Sequence, residues 1–486
     1  MRTRFPPSPT GFLHIGGLRT ALFSYLVAKK ARGTFYVRIE DTDQAREVTG
    51  ATLNILQALH FAGLDPDEGV VLDHASIAEK GAFGPYFQSK RLKFYHEHVE
   101  QLLKTGAAYR CFCTKERLDA MRKDQEARHQ APMYDRTCLR LSKEEVEKRR
   151  AEPHVIRFRI PDGKEVVASD HIRGKVTFSL QTLDDQVLLK SDGFPTYHLA
   201  HVVDDHLMET SLVIRGEEWL PSLPKHLLLF QAFGWTPPEY AHVPLLLQKG
   251  GGKLSKRQGD VSVEAFIEKG YLPEVLVNFV ALLGWNPGTT EEIFSLPELI
   301  DAFSLERVQK AGAIFDVTKL DWLQGQWIRK MSLQEFAKRI QPIVSETHKA
   351  AAKDAQFEKK AALIQERITF FSEAPEMLGF FYDAPTVSLN LLANSKQKVT
   401  KDDLPKIVSL LMSTLSPIAE TDWTREKIAE VLEAAIPASG FQKGQILWPL
   451  RAALTGREYS PGAYEVAAVL GREETLERLK NTMKAL

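Results

Sequence analysis

The sequence predicts an α/β core that carries an α+β insertion and is followed by an all-α C-terminal region. Three observations carry that expectation. A strand, a glycine-rich turn, an amphipathic helix and a second strand succeed one another in the first 40 residues, the pattern of a βαβ unit on a parallel sheet. Between residues 83 and 190, alternating β segments mix with charged helical ones. Beyond about Asp260 the pattern is predominantly helical to the end of the chain.

The first element is Phe5-Pro-Pro-Ser-Pro-Thr-Gly-Phe-Leu-His-Ile-Gly-Gly17. Its prolines forbid helix before it. Leu18, Ala21, Leu22, Tyr25 and Leu26 recur at helical spacing, so a helix is expected to begin just after the glycine pair and to bury one face. Gly11, Gly16 and Gly17 allow the backbone to come close to something bulky. A helix N-terminus preceded by glycines offers N–H donors and a positive dipole end, which favour phosphate. His14, one turn ahead of that helix, stands within reach of a phosphate oxygen. The spacing matches neither GxxxxGK[ST] nor GxGxxG. The helix is expected to close at Ala31-Arg-Gly33, and Thr34–Glu40 to form the next strand. Glu40-Asp-Thr-Asp43 then falls at a strand's carboxyl end, where parallel sheets bind ligands. Thr49–Gly63 reads as a second covering helix.

From about Ala82 the pattern changes. A long amphipathic helix should end near Gly106, and His154–Lys190 should be mostly β with Asp-Gly turns at 162 and 192. Cys111-x-Cys113 with Cys138 supplies three soft ligands for a tetrahedral zinc site. Thr210–Ile214 is an apolar strand that stops at Arg215-Gly-Glu-Glu-Trp219, and Ser222 is placed to cap a helix over Leu223–Phe233. Further on, Gln248-Lys-Gly-Gly-Gly-Lys-Leu-Ser-Lys-Arg257 puts three cations behind three glycines, as expected of a mobile loop serving triphosphate chemistry.

Composition bounds the rest. A chain of 486 residues implies roughly three or four domains at about 100–200 residues each. Lys plus Arg equals Asp plus Glu, 63 each, so a nucleic-acid partner has to be met by local basic patches. Three cysteines make no disulfide framework and suit a reducing cytosol. Met-Arg-Thr-Arg-Phe-Pro-Pro lacks the apolar core of a signal peptide, and Val275–Trp285 is too short and too interrupted to span a bilayer. A cytoplasmic protein is expected.

The motif Pro7-Ser-Pro-Thr-Gly-x-x-His-Ile-Gly-Gly17 resembles the HIGH signature of class I aminoacyl-tRNA synthetases, and Lys253-Leu-Ser-Lys-Arg257 resembles their KMSKS loop. The Arg-Phe and Pro-Ser-Pro-Thr-Gly around the first motif resemble the glutamyl/glutaminyl branch, in its bacterial type. The resemblance implies a Rossmann-like (HIGH-type) catalytic domain over 1–82 and 191–250, and an acceptor-stem-binding insertion over 83–190. It also implies a stem-contact helical domain with the KMSKS-like loop over 251–330, and an α-helical anticodon-binding domain over 331–486. It implies a monomer that uses ATP and magnesium to attach L-glutamate to tRNA(Glu); whether tRNA(Gln) is charged too stays open.

Site residues follow from the same resemblance. His14 and Lys256 would act on the phosphates, and Pro7, Ser8, Thr10, Gly11, Gly16, Gly17, Glu217, Lys253 and Ser255 would complete the ATP site. Arg4 and Tyr197 are implied around the glutamate side chain, Ser8 and Glu40 at its ammonium, and Arg215 at its α-carboxylate. His201, where relatives often have asparagine, is implied in the glutamate site as well. Relatives that keep the zinc site usually finish it with a histidine two residues after the third cysteine. Arg140 occupies that position and cannot ligate; the resemblance implies Tyr134, in the spacing Tyr-x-x-x-Cys138, as the fourth ligand some relatives use, the alternative being three buried cysteines without metal. Arg367, Lys443, Arg451 and Arg457 are candidates for RNA contacts. The competing readings are a HIGH-type nucleotidyltransferase acting without RNA, a truncated paralogue that glutamylates a modified base, and a decayed synthetase core that only binds RNA. None of them accounts for about 150 helical C-terminal residues together with intact His14, Glu40, Arg215 and Lys256.

Overall fold

The computed structural model describes residues 1–252, Leu254 and residues 261–486. They fall into two compact units, Met1–Leu320 and Asp321–Leu486. In the first, β1 (Arg2–Phe5), α1 (Ile15–Lys30) and β2 (Thr34–Val37) form the expected βαβ unit, with Arg2–Phe5 in parallel register to Thr34–Val37. After α2 (Ala51–Phe61), β3 (Glu68–Asp73) adds parallel to β2, and β4 (Ser76–Lys80) returns antiparallel.

The chain then leaves the sheet through α3 (Leu92–Thr105), β5 (Ala108–Cys111), α4 (Lys115–Ala127), α5 (Lys143–Lys148) and β6 (Val155–Phe158). The hairpin β7 (Glu165–Asp170) and β8 (Gly174–Ser179) and the strand β9 (Val187–Leu189) follow; β5, β6 and β9 pair as a small sheet of their own. The chain re-enters through α6 (Tyr197–Leu207), β10 (Leu212–Gly216), α7 (Leu223–Phe233) and β11 (Glu239–Val243). The completed sheet has the order β11-β10-β1-β2-β3-β4. Strands therefore spread from β1 in both directions, and the crevice at its carboxyl end is where such a sheet takes a ligand. Beyond it, β12 (Leu246–Gln248) pairs in parallel with β13 (Ala313–Phe315) across α8 (Val263–Glu268), α9 (Pro273–Leu282) and α10 (Leu296–Ala302).

Four local expectations are corrected. α1 starts at Ile15, so the glycine pair lies inside its first turn and His14 is the N-cap itself. Nor does α1 bury one face only: Ile15, Leu18, Ala21, Leu22, Phe23 and Leu26 are fully buried, and Tyr25 is only half-buried. One side packs on the sheet, while Phe23 meets Phe303 at 4.7 Å and Arg19 donates to the carbonyls of Leu283 and Pro244. A helix apolar nearly all round is a core helix, and each buried Leu or Phe contributes roughly 1.5–3 kcal/mol. At the other end Arg32, not Gly33, takes the left-handed conformation, at φ 50°. Gly33 is needed because a Cβ there would sit 2.0 Å from the Met1 carbonyl oxygen. Ser222 makes no side-chain cap to α7, although Gly234 closes that helix as expected, at φ 73°.

The second unit is helical, from Leu333–Thr347 to Arg472–Ala485. Leu404, Ile407, Val408 and Leu411 on one helix meet Leu432, Ile446, Leu450 and Leu479 in its core, and Trp423 donates its indole N–H to Ala467. Among its basic candidates, Arg451 stacks on Trp448 at 4.7 Å, whereas Lys443 and Arg457 are ion-paired to Glu433 and Glu376.

Candidate active site

A cavity of about 1150 Å³ opens at the carboxyl ends of β1, β2 and β10. Arg4, Pro7, Ser8, Thr10, Gly11, His14, Gly16, Gly17, Glu40, Tyr197 and Arg215 all line it. Lys253, Ser255 and Lys256 lie outside the described residues; Leu254 and Val261, on either side, line the same cavity. Two expected residues do not. Glu217 turns away to accept from the Leu245 amide at 2.8 Å and to pair with Arg173 at 2.5 Å, and Glu218 faces the cavity instead. His201 is wholly buried beneath Tyr197, its ring stacked at 5.2 Å.

The phosphate corner is built by capping. His14 Nδ1 accepts the Gly17 amide at 3.1 Å, so the ring proton sits on Nε2 and that nitrogen is a donor. The glycine pair keeps the ring clear: a Cβ on Gly16 would lie 3.1 Å from the imidazole, and one on Gly17 would lie 2.8 Å from Leu13. The chain after the lysine-rich stretch is stitched to this turn, with Ile15 N–H donating to Val261 at 3.0 Å and Val263 N–H to Leu13 at 2.8 Å. Two backbone hydrogen bonds thus tie the His14 turn to the segment entering α8.

The floor is a buried charge network that sequence reasoning missed. Arg4 Nε lies 3.2 Å from both Asp205 carboxylate oxygens. Arg38 binds Asp205 at 2.7 Å and Glu40 at 3.0 Å. Asp204 takes Arg91 at 2.7 Å, Tyr95 at 2.8 Å and Gln88 at 2.9 Å. His201 Nδ1 lies 3.4 Å from Arg4 and 3.1 Å from Asp205, so it braces the arginine from behind. Burial, with Arg215 and Arg4 nearby, holds that imidazole far below its ordinary value and therefore neutral. Burial also pushes the Glu40 carboxyl up to about 7, in spite of Arg38. The signal available in the sequence was the acid pair Asp204-Asp205, three and four residues after His201 and directly behind the apolar pair Val202-Val203.

Arg215 closes the far wall. Its Nη1 donates to the Tyr197 hydroxyl at 3.1 Å and to His226 Nδ1 at 3.2 Å, and its Nε donates to His242 Nε2 at 3.0 Å. Trp219 tilts over Tyr197 at 4.4 Å and forms part of the rim. Arg4 and Arg215 thus bring two guanidinium groups to the same crevice as the Glu40 carboxyl.

Apart from this cavity, Cys111, Cys113 and Cys138 hold their sulfurs within 4.8 Å of one another. The Tyr134 hydroxyl joins them, 3.4 Å from Cys111 Sγ and 3.3 Å from Cys113 Sγ. Three thiols and a phenol at these separations fit one tetrahedral zinc. Arg140 reaches the Asp135 carbonyl and has no part in the cluster.

Residues 1–322 match the family model for class I tRNA synthetases (E and Q), catalytic domain, and residues 335–483 match the anticodon binding domain. The chain belongs to the class I glutamyl/glutaminyl-tRNA synthetase family. Glutamate–tRNA ligases of Chlorobium luteolum and of Clostridium botulinum strain Loch Maree are each 44% identical to it over all of this chain, and over 98% and 99% of their own. A crystal structure of a glutamate tRNA ligase from Elizabethkingia meningosepticum, in complex with its amino acid, superposes with a TM-score of 0.87 at 38% identity. It covers all of this chain and 99% of that one. Synthetases of this class use ATP and magnesium, and the anticodon domain fits a tRNA partner. Among the described residues no helix is long and apolar enough to cross a membrane.

Proposed function

We propose that the protein joins L-glutamate to the 3′ end of tRNA(Glu), using ATP and passing through glutamyl-adenylate. One observation carries this: a single cavity sets Arg4, Arg215 and Glu40 beside a histidine-capped helix N-terminus, in a chain matched end to end by glutamate–tRNA ligases. An α-carboxylate oxygen attacks the α-phosphorus of ATP, the α,β-bridging P–O bond breaks and pyrophosphate leaves. A ribose hydroxyl of the terminal adenosine then attacks the acyl carbon, gives up its proton, and AMP departs. The nucleophile of the first step is already ionised at neutral pH, so the site supplies position and positive charge, not a base.

Arg4 and Tyr197 would take the side-chain carboxylate, Arg215 the α-carboxylate, and Glu40 with Ser8 the ammonium. Glutamine offers Arg4 no anion and loses the charge-assisted pair. His14 Nε2 and the N–H groups that open α1 would receive phosphate oxygens, and Lys256 would follow the leaving pyrophosphate. Magnesium, when bound with the nucleotide, would supply further positive charge at the phosphates beside His14 and the start of α1. In this reading residues 1–82 and 191–250 form the nucleotide-binding domain, 83–190 the acceptor-stem insertion, 251–330 the stem-contact region and 331–486 the anticodon-binding domain. The enzyme works as a cytoplasmic monomer. Charging of separately purified tRNA(Glu) and tRNA(Gln) with labelled glutamate tests the reading. Product on tRNA(Glu) alone is expected, and no product on either overturns it.

The Glu40 carboxyl must be ionised to hold an ammonium. With its proton leaving at about pH 7, kcat/KM for glutamate is expected to fall as pH drops below 7, approaching a tenfold loss per unit. A flat profile between pH 6 and 8 would remove Glu40 from the ammonium site.

The cysteine cluster we assign to structural zinc, with Tyr134 as the fourth ligand. About one zinc per chain is expected by emission spectroscopy, with loss of the metal in Cys138→Ser. A metal-free protein with full activity would contradict it.

A further inference from the structure

A guanidinium carries N–H donors and no acceptor, so every nitrogen that Arg215 touches has to be an acceptor. His242 Nε2, 3.0 Å from Arg215 Nε, is therefore a lone pair, and the ring proton is on Nδ1. That proton goes to Asp170 Oδ2 at 2.6 Å. Asp170 in turn is fixed by backbone: it accepts the amides of Ile172 at 2.9 Å, Arg173 at 2.8 Å and His242 at 3.1 Å. His242 is wholly buried and Asp170 nearly so. The hydrogen bond from His242, against the effect of burial, keeps Asp170 below the usual carboxylate range. Burial, with Arg215 adjoining, keeps the imidazole neutral.

Asp170 does not belong to the catalytic sheet. It is the last residue of β7, in the hairpin of the segment between β4 and β10. The hairpin is clamped to the sheet by the His171 amide, which donates to Tyr240, and by Arg173, which donates to the His242 and Lys310 carbonyls and pairs with Glu217. A carboxylate from the insertion thus sets a histidine tautomer, and the histidine sets the rotation of the guanidinium that lines the cavity.

We propose that Asp170 and His242 are positioning residues that hold Arg215 for the substrate's α-carboxylate, making the aim of that arginine depend on docking of the β7–β8 hairpin. The proposal rests on the reading that Arg215 binds that carboxylate. Asp170→Asn sets an amide N–H against His242 Nδ1, forces the opposite tautomer, and turns an N–H against Arg215. His242→Leu removes the acceptor outright. His242→Gln keeps one acceptor and one donor bonded to the same carbon, as the two imidazole nitrogens are, and is the rescue variant.

The test is steady-state charging of tRNA(Glu) by the full chain, with inhibition by the amino alcohol in which the α-carboxylate of glutamate is reduced to CH2OH. Asp170→Asn and His242→Leu are expected to raise KM for glutamate by about tenfold or more, with KM for ATP held within about twofold. Binding of the amino alcohol should stay unchanged, and His242→Gln should recover most of the loss. Nitrogen-15 shifts of His242 should report the Nδ1–H tautomer in the parent and its inversion in Asp170→Asn. Equal losses for glutamate and the amino alcohol, a fall in kcat alone, or an Nε2–H tautomer in the parent overturns the proposal. Arg215→Lys separates the two readings. If it loses the preference for glutamate over the amino alcohol while the other variants keep it, the positioning role alone has failed. If Arg215→Lys keeps that preference, the substrate reading has failed and the proposal falls with it.

Discussion

Arg4→Gln should cut kcat/KM for glutamate by two to three orders of magnitude, a loss of about 3–4 kcal/mol of transition-state binding. The cause is local. Arg4 lies at the end of β1 with its guanidinium walled in by Asp205, His201 and the Ile214 carbonyl, so no second cation can swing into its place. The fold should survive. Asp205 still has Arg38 at 2.7 Å, so its carboxylate is not stranded, and the cost to stability is about 2 kcal/mol, well short of unfolding. Charging assays with a thermal melt alongside check both halves. Unchanged glutamate turnover would remove Arg4 from the site, and a protein that no longer folds would mean that Asp205 depends on Arg4 more than on Arg38.

Asp204→Ala should have the largest effect on stability, about 4 kcal/mol lost from the first unit. Asp204 is fully buried and is the counter-charge of Arg91, which is itself only 1% exposed. Among the described residues, removing the carboxylate leaves that guanidinium the Phe83 and Pro85 carbonyls and the Phe94 ring, and takes a partner from both Tyr95 and Gln88. Urea unfolding followed by tryptophan fluorescence, against Asp204→Asn as the gentler variant, measures it. A loss below about 1 kcal/mol would show that the network is not what holds α3 against α6.

These two residues show what could be read from the chain beforehand and what could not. Arg4 was legible because it abuts a motif, and the motif is local. Asp204 and Asp205 were visible only as an oddly acidic turn of an apolar helix, because their arginine partners lie more than 100 positions away. The βαβ opening followed from periodicity, yet the start of α1 did not: histidine is outside the usual N-cap set, and nothing local announces that its Nδ1 will take the Gly17 amide. Glu217, implied by the resemblance, faces away while Glu218 faces the cavity, because the 3-10 turn over Glu217–Ser222 separates their directions and has no sequence signature. Nothing local marks His242. Its partners, Arg215 and Asp170, come from two other strands, and only the assembled sheet brings the three together.

The central claim is that amino-acid recognition and nucleotide recognition meet in one cavity. A crystal structure with a non-hydrolysable glutamyl-adenylate analogue tests it most directly. The phosphate is predicted beside His14 and the first turn of α1, the side-chain carboxylate at Arg4, the ammonium at Glu40, and the Lys256 ammonium on the nucleotide side of the same cavity. Density for the analogue elsewhere, or with Lys256 and His14 on opposite sides of the molecule, would contradict the account.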